Sequence, residues 1–200
     1  MDVIEAIATR RSVRGLDGPP LTRDEVASLV ELALRAPAPH HTRPWRFVHV
    51  LPARREALAA SMGETWRRDM EADSVPAERQ AHAVERSRLR IVEAPTLLVG
   101  CLVGEGLRAW PDERRQRAEW TMAAHSFGAA LQNILLAAHS RGLAGYWISA
   151  PLYAPEAVRA ALNLDEEWRP QACIVLGRRS ASYEPFGRPA PGLGAAFVER

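Results

Sequence analysis

The chain has 200 residues, 47% hydrophobic and 25% charged, with a formal net charge of +2. That is enough for one globular domain over residues 1–200 with a substantial core; it excludes a disordered chain and gives no overall field for nucleic acid. All 26 cations are arginine, which genome bias explains, yet arginine is also the better bidentate partner for phosphate and carboxylate, so its clusters are worth locating.

Val3, Ile4, Ala6, Ile7 and Ala8 recur at near-helical spacing and stop at RRSVR, residues 10 to 14. Arg10, Arg11, Arg14 and Ser12 form a compact oxyanion-binding group. In an extended segment, alternation aims Arg10, Ser12 and Arg14 to one side. The plain alternative is a solvated basic helix end. No P-loop or GxGxxG pattern accompanies the cluster, which disfavours a nucleoside triphosphate or a Rossmann-bound dinucleotide.

TRDEVASLVELALRA opens with Thr22 and Glu25 in capping-box spacing, and its apolar stripe predicts a helix that stops at Ala36-Pro37. Next comes APAPHHTRPW, which places His40 and His41 among prolines and ahead of Arg43. Adjacent residues of an extended segment point apart, and residues 36 to 50 contain no Cys, Asp or Glu, so no metal is expected. No serine lies in a nucleophile elbow, which argues against a hydrolase. The pocket-rim reading makes the imidazoles hydrogen bonders or acids toward an anionic ligand; the plain reading is a pair of exposed loop histidines.

WRFVHVL predicts a strand. Residues 53 to 91 predict two charged helices broken near residues 73–76, an excursion or lid. TLLVGCLV is a buried strand. A long helix from near Asp112 to Ser140 is capped by Gly142. His125, Gln132, Asn133 and His139 argue against a membrane span there. YWIS, PEAVRAAL and QACIVLG predict strand, helix and strand, with Gly142 and Gly145 suited to a tight turn or to a flat ring approaching the backbone. Cys101 and Cys173 lie in apolar runs and read as core. With no apolar signal core at the start, a cytoplasmic protein is expected. The proline- and glycine-rich tail after Tyr183 has no regular period and suits wrapping over a neighbouring surface. The fold class is α+β, a small mixed sheet flanked by helices.

RRSVR near the start, the Ala-Pro loop, PWRF leading into a strand and the late glycine-bearing strand together resemble the FMN-dependent nitroreductase family, in the same order over nearly the whole chain. The usual family loop, Ser-Ser-x-Asn-x-Gln-Pro-Trp, is replaced by APAPHHTRPW. That loop, WRRDM, the glycine-bearing WI strand and the GRP near the end are similar to the C-terminal reductase domain of the bifunctional coenzyme F420:L-glutamate ligase. The ligase part has no counterpart here, so ligase activity is not expected.

The resemblance implies an intertwined homodimer with FMN in a cleft between subunits. Arg10, Arg11, Ser12, Val13 and Arg14 would hold the phosphate and ribityl chain, with Arg188 near the same phosphate and Ser149 contacting through its backbone. Ala38, Arg43, Asp69 and Met70 would approach the substrate, and His40 or His41 would donate a proton. The implied reaction is hydride transfer from reduced flavin to the enol-pyruvyl double bond of dehydro-coenzyme F420-0, whose anionic groups would meet Arg43 and Arg46. The alternatives are a general NAD(P)H-dependent nitro- or quinone reductase and a flavin- or deazaflavin-binding protein without turnover. No nucleic-acid or membrane partner is expected.

Overall fold

The computed structural model describes residues 1–184 and 192–198. In chain order its elements are helix α1 (Val3–Thr9), strand β1 (Leu16–Asp17), α2 (Arg23–Ala33), a 3-10 turn (Pro39–His41), β2 (Trp45–His49), α3 (Pro52–Ala72), α4 (Ala77–Val92), β3 (Thr96–Leu102), α5 (Glu113–Ser140), β4 (Ala144–Ile148), α6 (Pro155–Leu162) and β5 (Arg169–Arg179).

The helix signals act as predicted. Thr22 Oγ1 accepts from the Glu25 amide at 3.2 Å, while the Glu25 carboxylate accepts from the Thr22 amide at 2.7 Å. Two donors that the first turn of α2 leaves orphaned are thereby satisfied. Gly142, at φ +74, takes the left-handed turn after α5, where a side chain would be strained.

β5 is the central strand. β3 runs along one edge and β4 along the other, because both pair with residues 173–176 of β5; β1 continues the pairing at Arg178 and Arg179. β2 lies outside β3, with Trp45 opposite Leu102. The expected mixed sheet is antiparallel in each of these ladders, and its parallel element is a single bridge between Ser12 and Gly145. The two-residue strand β1 is too short to carry a sequence period.

Residues of β3 alternate between two cores. Leu98 and Leu102, with Ala172, Ile174 and Leu176 of β5, pack under α2 and α5 against Leu29, Phe127 and Ile134. Leu97, Val99 and Cys101, with Cys173 and Val175, pack under α3 and α6 against Leu58, Met62 and Val158. β3 therefore reads as an unbroken apolar run although its ladders are antiparallel: helices cover both faces. Burial pushes both cysteine thiols up to about 12, which fits inert core residues.

The α3–α4 pair is not a lid. Leu58, Ala59 and Met62 of α3 and Ile91 of α4 belong to the second core, and the abundant Arg and Glu occupy the outward faces. Arg55 is the exception, only 5% exposed, and its guanidinium donates to the carbonyls of Val50, Ala94 and Pro95. It ties the end of β2 to the turn that enters β3.

Candidate active site

RRSVR leaves α1 as an extended segment beside β4, with the Val13 amide donating to the Gly145 carbonyl at 3.3 Å. The segment divides its arginines between two sides of the sheet. Val13 is buried and Arg14 reaches the α4 side, where its guanidinium lies 5.7 Å from the centre of the Tyr146 ring. Arg11 donates to the carbonyls of Ala8 and Arg10 at 2.9 and 3.0 Å, so it caps the end of α1. With Arg10 it borders a separate cavity of about 290 Å³ next to Leu135, His139 and Arg179. Ser12 is exposed. The convergence of Arg10 and Arg14 on one cavity, expected from alternation alone, is not what the structure has.

On the Arg14 side a groove runs between α4 and the sheet. Its inner part, about 250 Å³, is bordered by Arg14, Tyr146, Arg86, Arg90 and Glu93; its outer part, about 540 Å³, by Arg86, Arg90, Trp66, Asp69, Ser149 and Tyr153. Two arginines border both parts, which makes them one continuous groove. Among the described residues, Arg14, Arg86 and Arg90 have no carboxylate partner within ion-pair distance. Burial pushes the Tyr146 phenol up, and the Arg90 and Arg14 charges pull it back down. At the mouth, Trp66 is 40% and Tyr153 78% exposed. A flat apolar rim leading to positive charge suits a planar anion.

The histidines lie elsewhere. His40 and His41 form a 3-10 turn and both take left-handed backbone angles, φ 53 and 57. His40 Nε2 is 3.2 Å from Glu119 Oε1, and Glu119 is buried on α5 at 1% exposure. The same carboxylate accepts from the Arg108 amide and the Trp110 indole N–H, each at 3.1 Å. The Trp110 bond leads in holding its pKa below the usual carboxylate range, against the opposing push of burial. His41 is exposed, with no hydrogen bond or ion pair among the described residues.

Other expected site residues divide between the two places. Ser149 and Asp69 share the outer groove with Arg86 and Arg90. Met70 is buried next to Asp69 and does not border that groove. Ala38 packs on the edge of the first core. Arg43 donates to the Leu34 carbonyl at 2.9 Å, and Arg46 pairs with Glu105, so both cations expected to meet a substrate are already engaged within the chain. Arg188 lies outside the described residues. Gly145 answers to packing rather than to a ligand: a Cβ there would sit 2.5 Å from the Val175 carbonyl oxygen. Among the described residues no group of three His, Cys, Asp or Glu is gathered that could hold a metal, and no helix is long and apolar enough to cross a membrane.

Sequence reading missed Tyr146, Arg86, Arg90, Trp66, Tyr153 and Glu119. Three of these left a signal: Arg86 and Arg90 are spaced i, i+4 on one helix face, and Glu119 falls in register with buried Ala123, Phe127, Ala130 and Ile134.

A model described as the nitroreductase family matches residues 7–178. The chain belongs to the nitroreductase family. The expected class, an FMN-dependent oxidoreductase, goes with that membership. Among relatives, YdjA of Escherichia coli (strain K12), named as an NAD(P)H nitroreductase, is 24% identical over 180 residues, covering 88% of each chain. A protein of Methanothermobacter thermautotrophicus, named as an NADH dehydrogenase/NAD(P)H nitroreductase, is 28% identical over 179 residues, covering 88% of this chain and 77% of its own. Among solved structures, NfnB of Sphigopyxis sp. strain HMH, described as an FMN- and NADPH-dependent nitroreductase, superposes with a TM-score of 0.72 at 22% identity, covering 100% of this chain and 99% of its own.

FMN joins a planar ring system to a phosphate. The residues present in the groove fit that group: Tyr146 beneath Arg14, aromatic side chains at the mouth, and three guanidinium groups that form no ion pair among the described residues, with Glu93, Asp69 and Asp73 bordering the same groove.

Proposed function

We propose that this chain is an FMN-dependent reductase of flat, electron-poor acceptors that draws its electrons from NAD(P)H, and that the cofactor lies along the groove from Arg14 to Ser149. The observation that carries this reading is the groove, where guanidinium groups that form no ion pair among the described residues meet aromatic faces. When bound, FMN would supply hydride transfer between the nicotinamide and the acceptor. Arg14, aided by Arg86 and Arg90, would take the phosphate, while Arg10 and Arg11 border the separate cavity and would not reach it. Ser12, Val13 and Ser149 would border the ribityl chain and ring, and Asp69 would border the acceptor.

In one chain, the groove and the His40–His41 turn share no lining residue. A homodimer in which the turn of one protomer closes over the groove of its partner would join them. Val3, Ile4 and Ile7, exposed along α1, support such a contact, since an apolar stripe of this kind marks an interaction face.

For the acceptor, the proposal is the enol-pyruvyl double bond of dehydro-coenzyme F420-0, supported by the APAPHHTRPW loop. With Arg43 and Arg46 engaged inside the chain, its anionic groups would meet Arg86 and Arg90. The test has two stages. First, the purified protein is reconstituted with FMN, released flavin is quantified, and one FMN per chain is expected. The reduced protein is then offered dehydro-coenzyme F420-0 and, separately, nitroaromatics. Faster turnover of the former supports the finer reading, and faster turnover of nitroaromatics leaves only the general reductase. Reduction without transfer to either acceptor marks a binding protein, and absence of FMN binding overturns the proposal altogether.

A further inference from the structure

We infer that the reductant of this site is NADH rather than NADPH, and that Asp69 and Asp73 make the choice. They accept from the hydroxyls of the adenosine ribose and repel a 2′-phosphate there. This rests on the reductase reading above and deepens it, since that reading leaves the dinucleotide open. Both carboxylates determine specificity at the mouth of the groove and take no part in hydride transfer.

The helices set the order of charge along the groove. Trp66, Asp69 and Asp73 of α3 and Ala83, Arg86 and Arg90 of α4 recur at the same helical spacing, so each helix turns one face to the cavity of about 540 Å³. α3 and α4 are joined by a turn at residues 73–76 and meet where Gly63 faces Val84: a Cβ on Gly63 would lie 3.0 Å from Val84 Cγ1. An antiparallel pair in that register carries its two acids toward the turn and its two arginines away from it. At a rise of about 1.5 Å per residue, Asp69 stands about 12 Å from Arg86 along the hairpin, and Asp73 about 24 Å from Arg90.

Acid and base therefore share the groove without neutralising one another. Elsewhere on the same helices Arg67 pairs with Glu64 and Glu71, and Arg88 with Glu56 and Glu85. Asp69, Asp73, Arg86 and Arg90 form no ion pair among the described residues. The acidic end is also fixed in place. The Asp73 amide donates to the Asp69 carbonyl at 3.0 Å and the Val75 amide to the Met70 carbonyl at 2.9 Å. The side chain of buried Gln80 donates to the Val75 carbonyl at 2.8 Å.

A nicotinamide dinucleotide carries its pyrophosphate between two riboses. With the nicotinamide inside, near Ser149, the pyrophosphate meets Arg86 at the junction of the inner and outer parts. The adenosine end then leaves between Trp66 and Tyr153, whose exposed rings can stack on adenine, and its ribose reaches the carboxylates. A vicinal diol offers two O–H donors to a carboxylate, whereas a 2′-phosphate brings about two further negative charges to the same place. The step itself does not change with the choice: the nicotinamide gives one hydride to FMN and leaves as the pyridinium.

The experiment mixes the FMN-loaded protein anaerobically with NADH or NADPH and follows bleaching of the flavin absorbance against concentration. In the wild type the second-order rate constant should be about thirtyfold higher with NADH, and added NaCl should narrow that ratio by speeding NADPH. Asp69→Asn combined with Asp73→Asn should bring the ratio within about threefold, chiefly through a faster rate with NADPH, and Asp73→Arg alone should favour NADPH. Bleaching by dithionite checks that each variant holds reducible FMN, and the salt series needs no variant at all. Equal or faster reduction of the wild type by NADPH overturns the inference, and so does a ratio that neither salt nor the variants move. Absence of FMN from the wild type would instead sink the reductase reading. The preference is then read by titrating NADH and NADPH fluorescence with the flavin-free protein: tighter binding of NADH is expected, and equal binding, tighter NADPH or no binding counts against it.

Discussion

Among the described residues, each face of the sheet buries one charged side chain, and the two are handled differently. On the α5 face, Glu119 is satisfied by two loops, one of them bearing a titratable histidine. On the α3 face, Arg55 is satisfied by backbone carbonyls alone, at Val50, Ala94 and Pro95. A charge bonded only to backbone cannot be switched by protonating its partner, so Arg55 is a staple. Glu119 holds the His40–His41 turn and the 108–110 segment against α5. The faces differ at their rims as well: the α3–α4 face opens into the cationic groove, where Arg14, Arg86 and Arg90 lack carboxylate partners among the described residues. Buried charge here serves the fold, and exposed charge without a partner is left for a ligand.

The largest effects should erase the contrast. Ile134→Ala on the α5 face and Leu58→Ala on the α3 face, both 0% exposed in the native protein, should each cost about 3 kcal/mol in urea unfolding, because either core carries the sheet. A far smaller cost at Leu58 would return α3 to the status of a lid. Next comes Arg55→Leu, which leaves carbonyls without donors and should cost about 2 kcal/mol without altering FMN affinity.

Arg86→Ala combined with Arg90→Ala sharpens the comparison from the other side. With Arg86 exposed and Arg90 half-buried, stability should move by less than about 1 kcal/mol, while the Kd for FMN, read by quenching of flavin fluorescence, should rise about tenfold. Unchanged affinity would move the phosphate to the cavity next to Arg10. The smallest effect is in the acid range. The Glu119 carboxyl is held below its ordinary value in the folded state, so its contribution is present above the ordinary value of 4.5 and is lost as pH falls through the lower, folded value. Urea midpoints between pH 5 and pH 3 should therefore fall less steeply in Glu119→Gln than in the wild type. Parallel slopes would remove the carboxylate's role in acid stability.

Local chemistry made much of the fold readable. Thr22 with Glu25, the Ala36-Pro37 stop and Gly142 mark helix ends that depend only on near neighbours. The character of α3 and α4 was not readable, because their charges outnumber the few positions, such as Leu58, Met62 and Ile91, that enter the core. RRSVR was legible as a cation cluster but not as a divided one: the division comes from its pairing with Gly145, far along the chain. The His40–His41 motif was visible as a feature, and its inequality was not, since the carboxylate that separates the two rings sits on α5.

The Ser12–Gly145 bridge also has a consequence in time. During synthesis the N-terminal residues emerge first, but their neighbour in the sheet is made only after most of the chain has been translated. The arginine that faces Tyr146 must therefore wait on the ribosome while β2, β3 and α5 are assembled, and the closure of so long a loop comes late. A nascent chain released before β4 would carry Arg14 without the Tyr146 ring it faces.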